Sequence, residues 1–217
     1  MIEFSVTEFI PLSRAFYLPS AKVVAPRLLG HYLLRRTPQG LAGGPIVETE
    51  AYITNDPGCH AFVGETNRNR AMFGPPGHAY VYLIYGFYNC FNAVCRPTGC
   101  GEAVLIRALE ATIDPAWMRT NRPVEKDTAL TSGPGKICVA LDIHRTHDSA
   151  DLCDANSPVF IAKNPEVKSF RRRFGPKITT TRIGLNVAAD WPLRFYLHGS
   201  HFVSKRIKSS TPRASSG

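Results

Sequence analysis

No stretch of this 217-residue chain approaches the ~20 consecutive apolar residues of a membrane-spanning helix. The opening, MIEFSVTEFIPLSRAFYLP, has no basic segment followed by an apolar one, so no secretory leader is read there and a cytoplasmic protein is expected. Cysteines at metal-binding or redox spacing are missing too. The six stand at 59, 90, 95, 100, 138 and 153, with no C-x-x-C among them. Zinc sites usually need closer pairs, and a disulfide framework belongs to short secreted chains. Cys90 and Cys95 are an odd number of residues apart, so one strand would point them to opposite faces. Reduced thiols that bind no metal are the expectation. There is no internal repeat and no long low-complexity linker; only the end, SSTPRASSG, reads as disordered. Acidic residues are short against basic ones, 17 to 26, for a net charge of +9 and a pI near 9.5. Basic residues recur at Arg68 and Arg70, Arg119 and Arg122, Arg171 to Arg173 and Lys205 to Lys208. This favours an anionic partner, most simply nucleic acid, although a merely basic, soluble surface accounts for the charge equally well.

What is present is enough for a core: hydrophobic residues make up 44% of the chain. PSAKVVAPRLLG predicts a short helix capped by Ser20 and stopped by Gly30, with Pro26 awkward inside it. HYLLRRT and GPIVETEAYI predict strands joined by a Gly-rich hairpin loop, PQGLAGG. EAVLIRALE predicts another strand. DPAWMRTNR predicts a helix with Asp114 as cap and Pro115 at its first position. TSGPGKICVALDI predicts a Gly-rich turn entering a helix, and PLRFYLHG and HFVS a closing pair of strands. Strands dominate and few are joined by long crossover helices. The class is therefore α+β: a single compact domain over residues 1–204 with a curved antiparallel β core, flanking short helices and a protruding β-hairpin. Residues 205–217 read as a basic, disordered tail.

Two segments carry unusual chemistry. AYVYLIYGFYNCFNAVC, from Ala79 to Cys95, holds six aromatic residues, four of them Tyr. A core hairpin would avoid the hydroxyls, because each buried Tyr O–H needs a partner. Either the segment is half exposed or its rings have a task. In IVETEAY, Glu48, Glu50 and Tyr52 alternate with Val47, Thr49 and Ala51, so the acids and the phenol share one strand face. Seven residues alone favour a wetted face over a pocket wall bearing a carboxylate base.

The order and spacing of the pieces change that balance. ETEAY, then His60 in DPGCHAF, RN-x-x-MF, YVY-x-IYG, SGP-x-K and PLRFY together resemble the 3-methyladenine (alkyladenine) DNA glycosylase family of the mammalian type, from about Gly30 to Ser204. Members excise damaged purines after flipping the nucleotide out of duplex DNA. The resemblance implies a monofunctional hydrolase of the N-glycosidic bond that needs no metal or cofactor and leaves an abasic site. Its partner would be double-stranded DNA bearing a damaged purine, engaged by a monomer. Flipping costs roughly a few kcal/mol, and aromatic platforms return about 1–3 kcal/mol per stacked base, which gives the rings a purpose. By resemblance, Tyr52 and His60 would flank one side of the base and Tyr82 the other. Tyr85, beside Gly86 at the hairpin tip, would wedge into the duplex. Asn92 would exclude guanine by crowding its N2 amino group. Glu50 would be the general base and Arg107 would position the water and the adjacent phosphate. Ile183 would act through its main chain and Lys136 would contact the DNA backbone. If Tyr82 and Asn92 oppose each other directly, the hairpin loop has three or five residues centred on Phe87.

The chain also departs from the pattern. Tyr52 to His60 is one residue shorter than in mammalian members, and Cys59 precedes the His. Asn67 stands where the family often has Pro, and bulky Phe87 and Tyr88 sit at the tip. The long N-terminal extension of mammalian members is absent, which leads to the expectation of a bacterial member, associated with the nucleoid through DNA. A non-catalytic nucleic-acid-binding protein on the same scaffold explains the charge and the rings, but not Glu50, Tyr52, His60 and Arg107 together. A zinc nucleobase deaminase would need an H-x-E…P-C-x-x-C signature, which is missing. If the basic surface meets duplex DNA, binding will weaken steeply with salt, each phosphate contact adding about 0.9 to the magnitude of the log–log slope. A slope near zero in a salt titration of duplex binding would point away from DNA.

Overall fold

Thirteen residues of one strand, Gly40–Tyr52, run through the centre of the molecule and meet three other strands along their length. A computed structural model describes residues 9–207. In chain order the elements are α1 (Arg14–Tyr17), α2 (Ala21–Leu28), β1 (Tyr32–Thr37), β2 (Gly40–Tyr52), β3 (Ala79–Ile84), β4 (Tyr88–Cys95) and β5 (Glu102–Leu109). Then follow α3 (Pro115–Asn121), α4 (Asp127–Thr131), α5 (Pro134–Ala140), β6 (Val159–Ala162), α6 (Val167–Arg173), β7 (Lys177–Thr180) and β8 (Arg194–Leu197). The main path of the antiparallel sheet is β3-β4-β5-β2-β1-β6, with β8 joining β2 to β7. This is the α+β architecture expected. No helix among the described residues is long and apolar enough to cross a membrane.

β2 divides its pairing. Its first half meets β1, from Thr37↔Gly40 to Tyr32↔Pro45, and its second half meets β5 and β8. The pairing with β5 is irregular on both sides of Glu48, which re-aims that carboxylate locally. Thr49 turns to the helix side and donates its hydroxyl to the Ala25 carbonyl (3.0 Å). Val47, Ala51, Val81, Phe91, Ala93 and Ile106 share that side and form the main core with α2 and α5. The opposite side of β2 carries Glu48, Glu50 and Tyr52. Neither acid is exposed, so this is not a wetted face.

Several local expectations are corrected. Ser20 does not cap α2; its hydroxyl goes to Glu102 Oε2 on β5 (2.8 Å), and the same oxygen accepts the Ala21 N–H (2.8 Å). A carboxylate from a distant strand thus does the capping, and the helix continues through Pro26. The β1–β2 turn is only Pro38–Gln39, because LAGG is already part of β2. HFVS is not a strand; β8 closes against β7 and β2 instead. The β3–β4 register is Tyr82↔Cys90, Tyr80↔Asn92 and Ile84↔Tyr88, so the loop is three residues centred on Gly86, not Phe87. The centre moved by one residue and the pairing therefore by two. Tyr82 and Asn92 stay on one face but are diagonal neighbours. Tyr85 and Gly86 both adopt positive φ (54° and 80°), and Phe87 N–H reaches back to the Ile84 carbonyl (3.3 Å). Cys90 and Cys95 do face opposite ways, the first to the polar side and the second into the core, and all six cysteines are free. The start of the expected tail is attached: Arg206 donates to the Ser200 carbonyl (2.7 Å) and Ile207 N–H to the Tyr196 hydroxyl (3.2 Å). SSTPRASSG lies outside the described residues.

Two glycines in β2 are required by close approach. A Cβ on Gly43 would stand 2.0 Å from the Leu33 carbonyl oxygen, and one on Gly44 1.6 Å from that of Glu110. Both contacts are backbone and cannot swing aside. Gly44→Ala will therefore destabilise the fold by about 3 kcal/mol or more, the upper end of overpacking costs. Chemical denaturation checks this, and an unchanged midpoint would mean that the backbones of Gly44 and Glu110 are not so tightly apposed.

Candidate active site

Alternation places one set of side chains from four adjacent strands on the polar face of the sheet. β3 gives Tyr80 and Tyr82, β4 gives Cys90 and Asn92, β5 gives Leu105 and Arg107, and β2 gives Tyr52. With His60, Ile183 and the start of α5, these residues line a cavity of about 310 Å³. Its wall is mostly apolar, with a few polar groups converging on one end, the usual composition of a small-molecule site.

The polar end is a buried network. Glu50 Oε1 accepts the Ile183 main-chain N–H (2.8 Å). Its Oε2 accepts Arg107 Nη1 (3.2 Å) and the Tyr52 hydroxyl (3.1 Å). Arg107 is shared with a second acid, its Nε lying 3.0 Å from Glu48 Oε1. Glu48 also takes Arg194 Nε (2.7 Å) and the Ser204 N–H and hydroxyl (2.6 and 2.9 Å). Glu50 is therefore not a lone carboxylate. Two acids and two arginines share the site, and every charge has a partner, which is the condition for burying it. Burial, then Glu50, pushes the Tyr52 hydroxyl well above its ordinary pKa, so Tyr52 is a hydrogen-bond donor to Glu50 at neutral pH.

The rings form the other end. His60 lies edge-on to Tyr82, with centroids 4.5 Å apart, and its Nδ1 is 2.9 Å from the Tyr80 hydroxyl. Burial, and next the charge of Arg68, lowers the His60 pKa from 6.5, so at pH 7 the imidazole is neutral. Burial likewise raises the Tyr80 and Tyr82 hydroxyls. Asn92 is buried in the floor and its Nδ2 donates to the Tyr80 carbonyl (2.9 Å), which prevents the side chain from swinging aside. The loop carrying His60 is stapled by Asn69. That side chain accepts from Thr66 N–H (2.7 Å) and donates to the His60 and Gly64 carbonyls (2.8 and 2.9 Å).

The structure thus gathers Tyr52, His60, Tyr82, Asn92, Arg107 and Ile183 around one cavity, with Glu50 sealed directly behind it. Tyr85 stands at the mouth, 77% exposed at the hairpin tip beside Phe87 at 68%. Lys136 is not in the wall, although it directly follows the lining residues Pro134 and Gly135; its ammonium lies 3.2 Å from the Ser132 hydroxyl. Glu48, Tyr80 and Arg194 carry parts of this arrangement that the sequence did not assign. Tyr80 could have been found, since it sits two residues from Tyr82 and so on the same face. Arg194 alternates with the buried Tyr196 in PLRFY, a weaker signal.

Residues 15–201 match the family model described as methylpurine-DNA glycosylase. Among similar proteins, one from Methanoculleus marisnigri is 45% identical over 197 residues, covering 90% of this chain and 99% of its own length. Relatives from Carboxydothermus hydrogenoformans and Rhodopseudomonas palustris (strain HaA2) are 44% and 46% identical over 195 and 200 residues, covering 90% and 91% of this chain. All three bear the name "Putative 3-methyladenine DNA glycosylase". With nearly all of its sheet and the whole cavity inside the matched span, this chain belongs to the methylpurine-DNA glycosylase family.

Proposed function

We propose that the protein is a monofunctional DNA glycosylase that takes a damaged purine nucleotide out of duplex DNA and hydrolyses its N-glycosidic bond. The observation that carries the reading is the position of Glu50, a buried carboxylate held by Arg107, Tyr52 and the Ile183 N–H directly behind the wall of a ring-lined cavity. A carboxylate offers about four acceptor sites. Three are occupied, so one remains for the O–H of a water. Glu50 takes that proton as the water oxygen bonds to the anomeric carbon. The bond from that carbon to the base nitrogen breaks, and its electron pair leaves with the purine. The sugar passes through oxocarbenium character, and the fixed carboxylate opposes the developing positive charge. A cationic alkylated purine departs neutral and needs no acid. The neutral His60 is suited to stacking rather than to proton donation.

Tyr85 supports the first step. It holds positive φ at an exposed tip, where a bulky residue is uncommon, and such strain persists where a function uses it. In this reading its ring enters the base stack and fills the space left by the flipped nucleotide. The net charge of +9 draws the phosphate backbone to the molecule. Lys136 contributes a backbone contact, and the protein works as a monomer.

Two substitutions test the reading. Glu50→Gln keeps nearly the same shape but removes the base, and should lower single-turnover excision of a damaged purine by about 10²–10⁴ while leaving duplex binding intact. Near-normal excision by this variant would exclude Glu50 from the role. Asn92 is pinned to the Tyr80 carbonyl and so cannot yield to an N2 amino group. Asn92→Ser should therefore raise excision of guanine-derived bases without a parallel rise for hypoxanthine. A guanine-to-hypoxanthine rate ratio equal to that of the unaltered protein would defeat the steric account.

A further inference from the structure

The base-flanking ring of Tyr52 has a cation behind it. The Arg182 guanidinium carbon lies 4.7 Å from the Tyr52 ring centroid, yet Arg182 does not line the cavity and its side chain is fully buried. It is held by Asp56, equally buried, through Nη2 to Oδ1 (2.8 Å) and Nη1 to Oδ2, and Nη1 also reaches the Ala51 carbonyl (3.1 Å). Asp56 in turn accepts the Gly58 N–H (2.9 Å). This pair is separate from the network around Glu50, and none of the chemistry described above uses it.

A buried ion pair is costly to assemble, and an apolar contact would have backed the ring as well. What the pair adds is charge on one side of an aromatic face. A ring attracts a cation through its negative π face. When one cation already occupies the back, the π density is drawn toward it and the front face offers less to a second. The pair is also polar, with its positive end against the ring. Burial raises the Tyr52 hydroxyl pKa and Glu50 adds to this, while Arg182, and next Arg107, act in the opposite direction.

We propose that Arg182, acting through Tyr52, biases the cavity against positively charged alkylated purines and in favour of neutral damaged purines. The proposal rests on the reading of this cavity as the seat of a flipped purine, and it deepens that reading by naming a substrate class. Arg182 is a positioning residue: it touches the ring, not the base. Its neighbour Ile183 gives its N–H to Glu50, so the same side chain also fixes where that donor stands.

The test isolates charge from shape. Duplexes carry either 3-methyladenine, which is cationic as a nucleotide, or its neutral isostere 3-deaza-3-methyladenine. A 2′-fluoro sugar blocks cleavage in both, so equilibrium binding is read without any reaction. Arg182→Met combined with Asp56→Asn removes both charges and keeps the volume. The affinity for the cationic duplex relative to the neutral one should rise about threefold to tenfold. Asp56→Asn alone leaves the Arg182 charge uncompensated and should lower the same ratio. A purely structural role would weaken both duplexes alike in both variants. An affinity ratio that is constant across the unaltered protein and both variants, or that moves in the same direction in both, would overturn the proposal. Excision of 3-methyladenine and of hypoxanthine by the unaltered protein, measured alongside on an ordinary sugar, tests the reaction separately. The absence of both would count against the glycosylase reading, while the binding ratio would still decide the role of Arg182.

Discussion

The Glu48–Arg107 contact holds the site together. Glu48 has no exposure and no solvent to satisfy it, so its oxygens draw donors from β5, from β8 and from the segment at Ser204. Each donor belongs to a different part of the chain, and the acid is where those parts meet. Arg107, fixed at its Nε by Glu48, has its Nη1 left to meet Glu50. The two acids thus act unequally although they are only two residues apart. Glu48 is saturated and anchors the arginine. Glu50 takes three donors and lies directly behind the cavity wall. Removing one member of such a group strands the others as buried charges, which typically costs about 3–5 kcal/mol.

The sheet makes this affordable by keeping its two faces chemically apart. On one side aliphatic residues of β2, β3, β4 and β5 pack with α2 and α5 into a continuous core. On the other, the same strands present rings, amides and charges, closed over by the His60 loop and the Ile183–Leu185 segment. A rigid apolar face holds the strand positions, so the polar face does not have to stabilise itself. This separation explains how four tyrosines fit within a short hairpin. Tyr80 and Tyr82 are spent on the cavity wall, Tyr85 on the tip and Tyr88 on the cavity mouth against Gly135.

The buried Asp56–Arg182 pair ties down the segment from Tyr52 to His60. Asp56 accepts both Arg182 and the Gly58 N–H, and the loop is drawn against the β7–β8 connection. His60 then reaches Tyr80 and Tyr82.

Much of this was legible in the amino-acid sequence because it depends on period-two alternation, which is local. That Glu48, Glu50 and Tyr52 share a face and that Cys90 and Cys95 do not both follow from counting along a strand, whereas the shared side of Tyr82 and Asn92 depended on an odd-numbered hairpin loop. The Asp114 cap and the Gly-rich entry to α5 were equally local, and the motifs from ETEAY to PLRFY carried the family. The capping of α2 was misread because Ser20 meets Glu102, 82 residues away, more strongly than its own helix. The hairpin centre was displaced because parity alone cannot tell one register from another two residues along. What only the tertiary structure decided is which distant partner each polar group takes. Glu48 finds Arg107 across 59 residues and Arg194 across 146, while Asp56 finds Arg182 across 126. A strand's residue pattern specifies which side chains must be buried, but the donor that satisfies a buried carboxylate is set by strand order and loop closure, and no local periodicity encodes those.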